Sequence, residues 1–170
     1  MTDPETPSTA ASAAAKPPRV VVLGVGNTLM ADEGVGVRCV DELEREGKLP
    51  AWARPVDGGT STHELLEDLE DLDLLIILDA VASGSPVGTV LRLEGAEIPS
   101  AFSNKLSPHQ HGINDLLATL TLLGRSPKRV VLIGVEPHQL SLSLDLSPLV
   151  ASRVPEMKDR VLQELERFAR

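Results

Sequence analysis

Apolar residues come in two rhythms along this chain. Continuous runs predict buried strands at Arg19–Leu23, Leu74–Asp79 and Arg129–Ile133, and shorter signals add strands near Arg54–Asp57 and Thr89–Leu93. Between them the spacing turns helical. Val37, Val40 and Leu43 recur on one face before Gly47, a helix stop. Thr62 is the expected N-cap of HELLEDLE, with Leu65, Leu66 and Leu69 on one face. Ile113, Leu116, Leu117, Leu120 and Leu123 form a third stripe ended by Gly124. Val154, Met157, Val161, Leu165 and Phe168 form a closing helix, with Lys158, Asp159, Arg160 and Glu166 on its opposite face.

Alternation of strand and helix predicts the α/β class: a three-layer α/β/α sandwich around a mixed, mostly parallel five-stranded sheet. The Thr89 strand follows its predecessor after SGSPVG, too short a link for a helical crossover. It is therefore expected to run antiparallel at an edge.

Composition narrows the picture. With 170 residues, one domain is expected, from 19 to 170. Residues 1–18, rich in Ala, Ser, Thr and Pro, read as a disordered extension that lacks the basic start and apolar stretch of a signal peptide. A net charge of −9 opposes nucleic acid or an anionic membrane surface as the main partner. A single cysteine, Cys39, excludes an intramolecular disulfide and fits a cytoplasmic protein. It falls with Val40 and Leu43 on a helical face, as a small buried hydrophobe.

The chemistry gathers after the strands. VVVLGVGNTLMADEGVGV, Val20 to Val37, runs from a strand through a glycine turn to Asp32 and Glu33. Asp79 ends the third strand, and His109 falls in a stretch from Gly95 to Gly112 without periodicity, read as a loop. If the second strand pairs outside the first, Glu33 and Asp79 share the crevice at the topological switch point. Two carboxylates and an imidazole suit zinc or nickel and leave positions open for water or substrate.

Each residue also has a plainer role. Asp32 is expected to favour the start of the following helix through its dipole. Asp79 could be a strand-end polar group, and a loop histidine is commonly solvated. His63 and His138 read as surface residues. Gly24 and Gly26 could mark a dinucleotide loop, but GVGNTL lacks the third glycine and no acid ends the second strand at the required distance.

In order and spacing, VLGVGNTLMADEGVGVR, DGGT at Asp57–Thr60, ILDAV at Ile77–Val81, NKLSPHQHG at Asn104–Gly112 and GVEP at Gly134–Pro137 form a signature. From Arg19 onward the chain resembles the endopeptidases that mature the large subunit of nickel-iron hydrogenases. The resemblance implies a five-stranded mixed sheet and puts the family's metal-ligand and catalytic positions on Glu33, Asp79 and His109. Gly26, Asn27, Gly58 and Gly59 become the expected substrate-binding residues, through close backbone approach and an Asn27 amide donor.

By the same resemblance, the substrate is a hydrogenase large-subunit precursor whose short C-terminal extension is cut off after nickel insertion. The nickel then belongs to the precursor, with zinc or cadmium as possible surrogates, and a monomeric enzyme is expected. Such enzymes are often grouped with aspartic-type peptidases, but the paired DTG loops of pepsin-like proteins are missing here. A glycine often found after DGGT is absent, His111 replaces an expected apolar residue, and the Ala-rich extension is atypical. Two alternatives stand beside this reading: a non-enzymatic checkpoint chaperone in which the same three residues read nickel occupancy, and a general metallopeptidase carrying its own zinc.

Overall fold

The structure, a computed structural model, describes residues 16–101 and 108–170, without the side chains of residues 62, 63, 101 and 108–111. Most of the proposed 1–18 extension therefore lies outside the described residues. Five strands form one sheet: β1 (Val20–Val25), β2 (Ala53–Gly59), β3 (Leu74–Ala80), β4 (Val90–Glu94) and β5 (Val130–Val135). Their order is β2-β1-β3-β5-β4, all parallel except β4, which runs antiparallel to β5 at the edge. The short SGSPVG link carries the chain past β3 to the far side of β5, so the edge strand pairs with β5 and not with β3.

Both sheet faces are covered, which is why β1 and β3 are buried at every position. Val20, Val22, Ile76 and Ile133 face one layer, formed by α1 (Val35–Arg45), α5 (Pro148–Ala151) and α6 (Val154–Ala169). Val21, Leu23, Ile77 and Leu132 face the other, where α2 (Leu66–Leu69), α3 (Glu97–Ala101) and α4 (Pro108–Leu122) contribute. Period-two alternation thus splits each strand between two cores. Among the described residues no helix is long and apolar enough to cross a membrane.

Three expectations need correction. Thr62 does not hold the N-cap position: a 3-10 turn, Thr62–Leu65, starts on it behind Ser61 and leads into α2, whose own N-cap position is Leu65. The stretch from Gly95 to Gly112 is no structureless loop, because it contains α3 and the start of α4. Pro108 suits a first helical position, since its fixed φ is already helical and its missing N–H is not needed there. Lys158, placed by periodicity on a solvent face, is 7% exposed. Its ammonium donates to Glu42 and Glu46 of the α1 end at 2.7 Å each, so it locks α6 onto α1. Arginine or lysine stems commonly bury their carbons this way while the charge finds a partner.

The exposed edge is protected by charge. Arg92 on β4 reaches Glu164 of α6 at 2.6 Å and Glu94 at 2.6 Å. Arg129 bonds Glu94 at 2.6 Å and Glu164 at 3.0 Å. The Arg129 and Arg92 guanidiniums hold Glu94 down to about 2, and Arg92 holds the Glu164 carboxyl below the usual carboxylate range. A depressed carboxylate adds stability that is complete above its unfolded value and disappears as pH falls through the folded one. The network should therefore weaken between pH 4.5 and about 2. Glu164→Gln should flatten the fall in stability across that window relative to the parent, measured by urea unfolding at a series of pH values. An unchanged slope would show that the network does not contribute.

Candidate active site

The carboxyl ends of β1 and β3 diverge at the sheet's switch point, because β1 connects to β2 on one side while β3 lies on the other. Glycines let the chain turn there with no clearance to spare. Gly26 has φ +133°, and a Cβ on it would sit 1.7 Å from the Glu33 carbonyl oxygen. A Cβ on Gly36, at the start of α1, would sit 2.0 Å from the Leu78 carbonyl oxygen. The Gly26 N–H donates to the Gly59 carbonyl at 2.9 Å, tying the β1 end to the β2 end. These glycines allow the 3-10 turn Ala31–Gly34, which carries Asp32 and Glu33, to pack directly on β3. Ala31 opens that turn at φ +46° while 1% exposed, a left-handed conformation that costs an alanine about 1 kcal/mol.

Glu33 is 9% exposed on this turn, and Asp79 is fully buried at the end of β3, its Oδ1 accepting from the Ala80 N–H at 2.8 Å. The two carboxylate residues thus stand on contacting elements at one end of the sheet. His109 belongs to the first turn of α4, and its side chain lies outside the described residues, as do those of His63 and His111. Among the described residues no group of three His, Cys, Asp or Glu side chains gathers in metal-holding geometry. Cys39 is fully buried, and that burial pushes its thiol up to about 12. It packs against Met157 with the sulfurs 4.0 Å apart, the small hydrophobe its spacing suggested. His138 is exposed.

The remaining candidates also border the crevice. Asn27 Oδ1 accepts from the Leu29 N–H at 3.0 Å, so its acceptor end shapes the turn and Nδ2 is the end left to meet a carbonyl. A Cβ on Gly58 would press on Leu23 and the Gly24 carbonyl, and Gly59 lies at φ +46°. An apolar groove lined by Trp52, Leu162 and Leu165 lies at the opposite edge of the sheet, beside the start of β2.

Asp32 has a role beyond the one expected. It is fully buried, and its Oδ2 accepts the N–H groups of His138 at 2.9 Å and Gln139 at 2.7 Å and the Ser147 hydroxyl at 2.9 Å. Its Oδ1 accepts the Ser147 N–H at 2.7 Å. Beyond its expected place in the first turn of the helical segment, the carboxylate anchors the segment after β5. The pattern of apolar positions could not show this, because the partners lie more than 100 residues away in sequence.

Glu136 was also missed. It follows β5 as Asp79 ends β3, and it is 8% exposed. Its Oε2 accepts the Ser83 N–H and hydroxyl at 2.7 Å each, fixing the segment after β3. The rule that singled out Asp79, an acid straight after an apolar run, would have found it in VVLIGVEP. Ser147 could have been read as well: Ser147-Pro148 has the N-cap and N1 chemistry, and the Ser147 oxygen accepts from the Val150 N–H at 3.3 Å.

Comparison with known proteins agrees with this fold. A family model described as hydrogenase maturation protease, HycI, matches residues 37–164. The hydrogenase 2 maturation protease of Escherichia coli K12 is 43% identical over 148 residues, which cover 86% of this chain and 90% of that protein. The hydrogenase expression/formation protein HupD of Rhodobacter capsulatus is 42% identical over 152 residues, covering 88% of this chain and 72% of that protein. The solved structure of the hydrogenase maturating endopeptidase HybD from E. coli superposes with a TM-score of 0.82 at 41% identity, covering 88% of this chain and 93% of that one. The chain belongs to the hydrogenase maturation protease family and is a processing peptidase of hydrogenase maturation.

Proposed function

We propose that this peptidase removes the C-terminal extension of a nickel-iron hydrogenase large-subunit precursor, and does so only once the precursor carries nickel. The observation that carries the reading is the pairing of two buried acid residues, Glu33 and Asp79, on contacting elements at the sheet's switch point. The nickel is part of the substrate in this reading. Glu33, Asp79 and His109 offer it the oxygen and nitrogen donors that the precursor's own thiolates lack. Gly26, Asn27, Gly58 and Gly59 hold the peptide beside them, where glycine backbone permits close approach.

Hydrolysis then adds water across the scissile bond. The water oxygen joins the carbonyl carbon, the C–N bond breaks, and the departing amine takes up a proton. One of the two carboxylates takes the water's proton, a role for which a buried acid is suited. Glu33, Asp79 and His109 would hold the precursor's nickel beside the peptide, where it would supply Lewis-acid polarisation of the carbonyl. A chaperone without catalytic activity is set aside by membership of a peptidase family.

The test compares nickel-loaded with nickel-free precursor, incubated with the purified chain and followed by the size shift on gels. The loaded form should be shortened and the empty form left intact, and Glu33→Gln should leave both intact. Equal cutting of both forms would remove nickel from the reading, and full processing by Glu33→Gln would remove Glu33.

A further inference from the structure

Exposed leucines cluster beside this crevice. Leu29 is 54% exposed, Leu142 80% and Leu144 65%. They stand on two segments that are bonded together. Met30 and Ser143 form a parallel β-bridge, with the Ser143 N–H donating to the Leu29 carbonyl at 3.0 Å and the Ala31 N–H to the Ser143 carbonyl at 2.9 Å. The Asp32 N–H donates to the Gln139 carbonyl at 3.1 Å, and the Asp32 carboxylate closes the same joint from below. Single exposed leucines are ordinary on protein surfaces, but three held side by side on fixed backbone form a patch.

Three features say what covers it. From Gln139 to Leu144 the sequence QLSLSL has no charge, on a chain of net charge −9, so the complementary surface is apolar and not basic. Together the three side chains expose about two whole leucines, far below the ~800 Å² per partner that a stable dimer buries. The occupant is therefore a short segment. Leu29 also lies two residues before the 3-10 turn that carries Glu33, so a peptide crossing the leucines is led toward the crevice.

We infer that Leu29, Leu142 and Leu144 form an apolar rest for a short uncharged segment of the precursor adjoining its cleavage point. This deepens the proposed processing function and depends on it.

The test is steady-state processing of nickel-loaded precursor by the parent and by the double variant Leu142→Ser/Leu144→Ser. Leu122→Ser serves as the control. Leu122 is 89% exposed at the C-terminal end of α4, which leads to the start of β5, at the end of the sheet opposite the carboxyl ends of β1 and β3. KM should rise tenfold or more in the double variant and stay at the parent value in Leu122→Ser, with unchanged melting temperatures. An unchanged KM in the double variant overturns the rest and leaves the processing function standing. If the parent does not cut, the processing reading fails on its own, and binding of labelled precursor still decides the rest. A tenfold loss of binding in the double variant supports it, whereas equal or absent binding overturns it. A parent dimer that the double variant abolishes in sedimentation would assign the patch to a second copy and also overturn it.

Discussion

Asp32→Ala is expected to lower the melting temperature by about 12 °C. Removal of the carboxylate leaves three backbone N–H groups and the Ser147 hydroxyl without their buried acceptor. Each orphaned donor costs about 1–3 kcal/mol, and partial entry of water reduces the total to about 4 kcal/mol. At about 3 °C per kcal/mol for a domain of this size, the shift follows. Asp32→Asn should lose roughly half as much, because it keeps one oxygen for the donors while turning an N–H₂ toward the rest. Calorimetry or thermal circular dichroism checks both. A loss under about 1 kcal/mol for Asp32→Ala would mean that the anchored segment is held by its backbone contacts alone.

The second large effect falls on activity. Asp79→Asn should reduce processing of nickel-loaded precursor about 10³-fold, within the range a positioned proton acceptor contributes. Its fold should survive, since asparagine keeps an oxygen to accept the Ala80 N–H that Asp79 Oδ1 accepts at 2.8 Å. The melting temperature should fall by only a few degrees, for one altered hydrogen bond of about 1 kcal/mol. Processing at more than a tenth of the parent rate, with the melting curve intact, would take the chemistry away from Asp79. His109→Ala offers a parallel measurement for the imidazole.

The middle of the sheet was legible because β1, β3 and β5 are continuous apolar runs, a pattern that burial on two faces demands. The β1–β3 neighbourhood followed from one assumption, that β2 lies outside β1, and the antiparallel edge from a link too short for a helix, but the place of β5 between β3 and β4 was not read. Asp79 and Glu33 were legible as acids delivered by apolar strands. What stayed hidden depends on distance along the chain. The partners of Asp32 lie 106 to 115 residues away, and no periodicity reports such contacts. Lys158 was misplaced for the same reason, as a helical wheel shows which face a residue occupies but not which helix end lies opposite. The 95–112 stretch misled because proline and histidine weaken an apolar stripe without preventing a helix, and the first turn of α4 has neither stripe nor acidic start.

Cys39 has one more consequence. A processing enzyme that inspects a nickel–thiolate centre faces a thermodynamic hazard: any accessible thiol of its own is a rival ligand for the cargo. This chain has one cysteine, sealed in the core against Met157 with its proton held to about 12. In the proposed nickel-dependent reading, the precursor's metal would meet only oxygen and nitrogen donors of the enzyme, with no enzyme thiol competing for it. In that reading, the same burial that makes Cys39 an ordinary core residue would keep the inspection reversible.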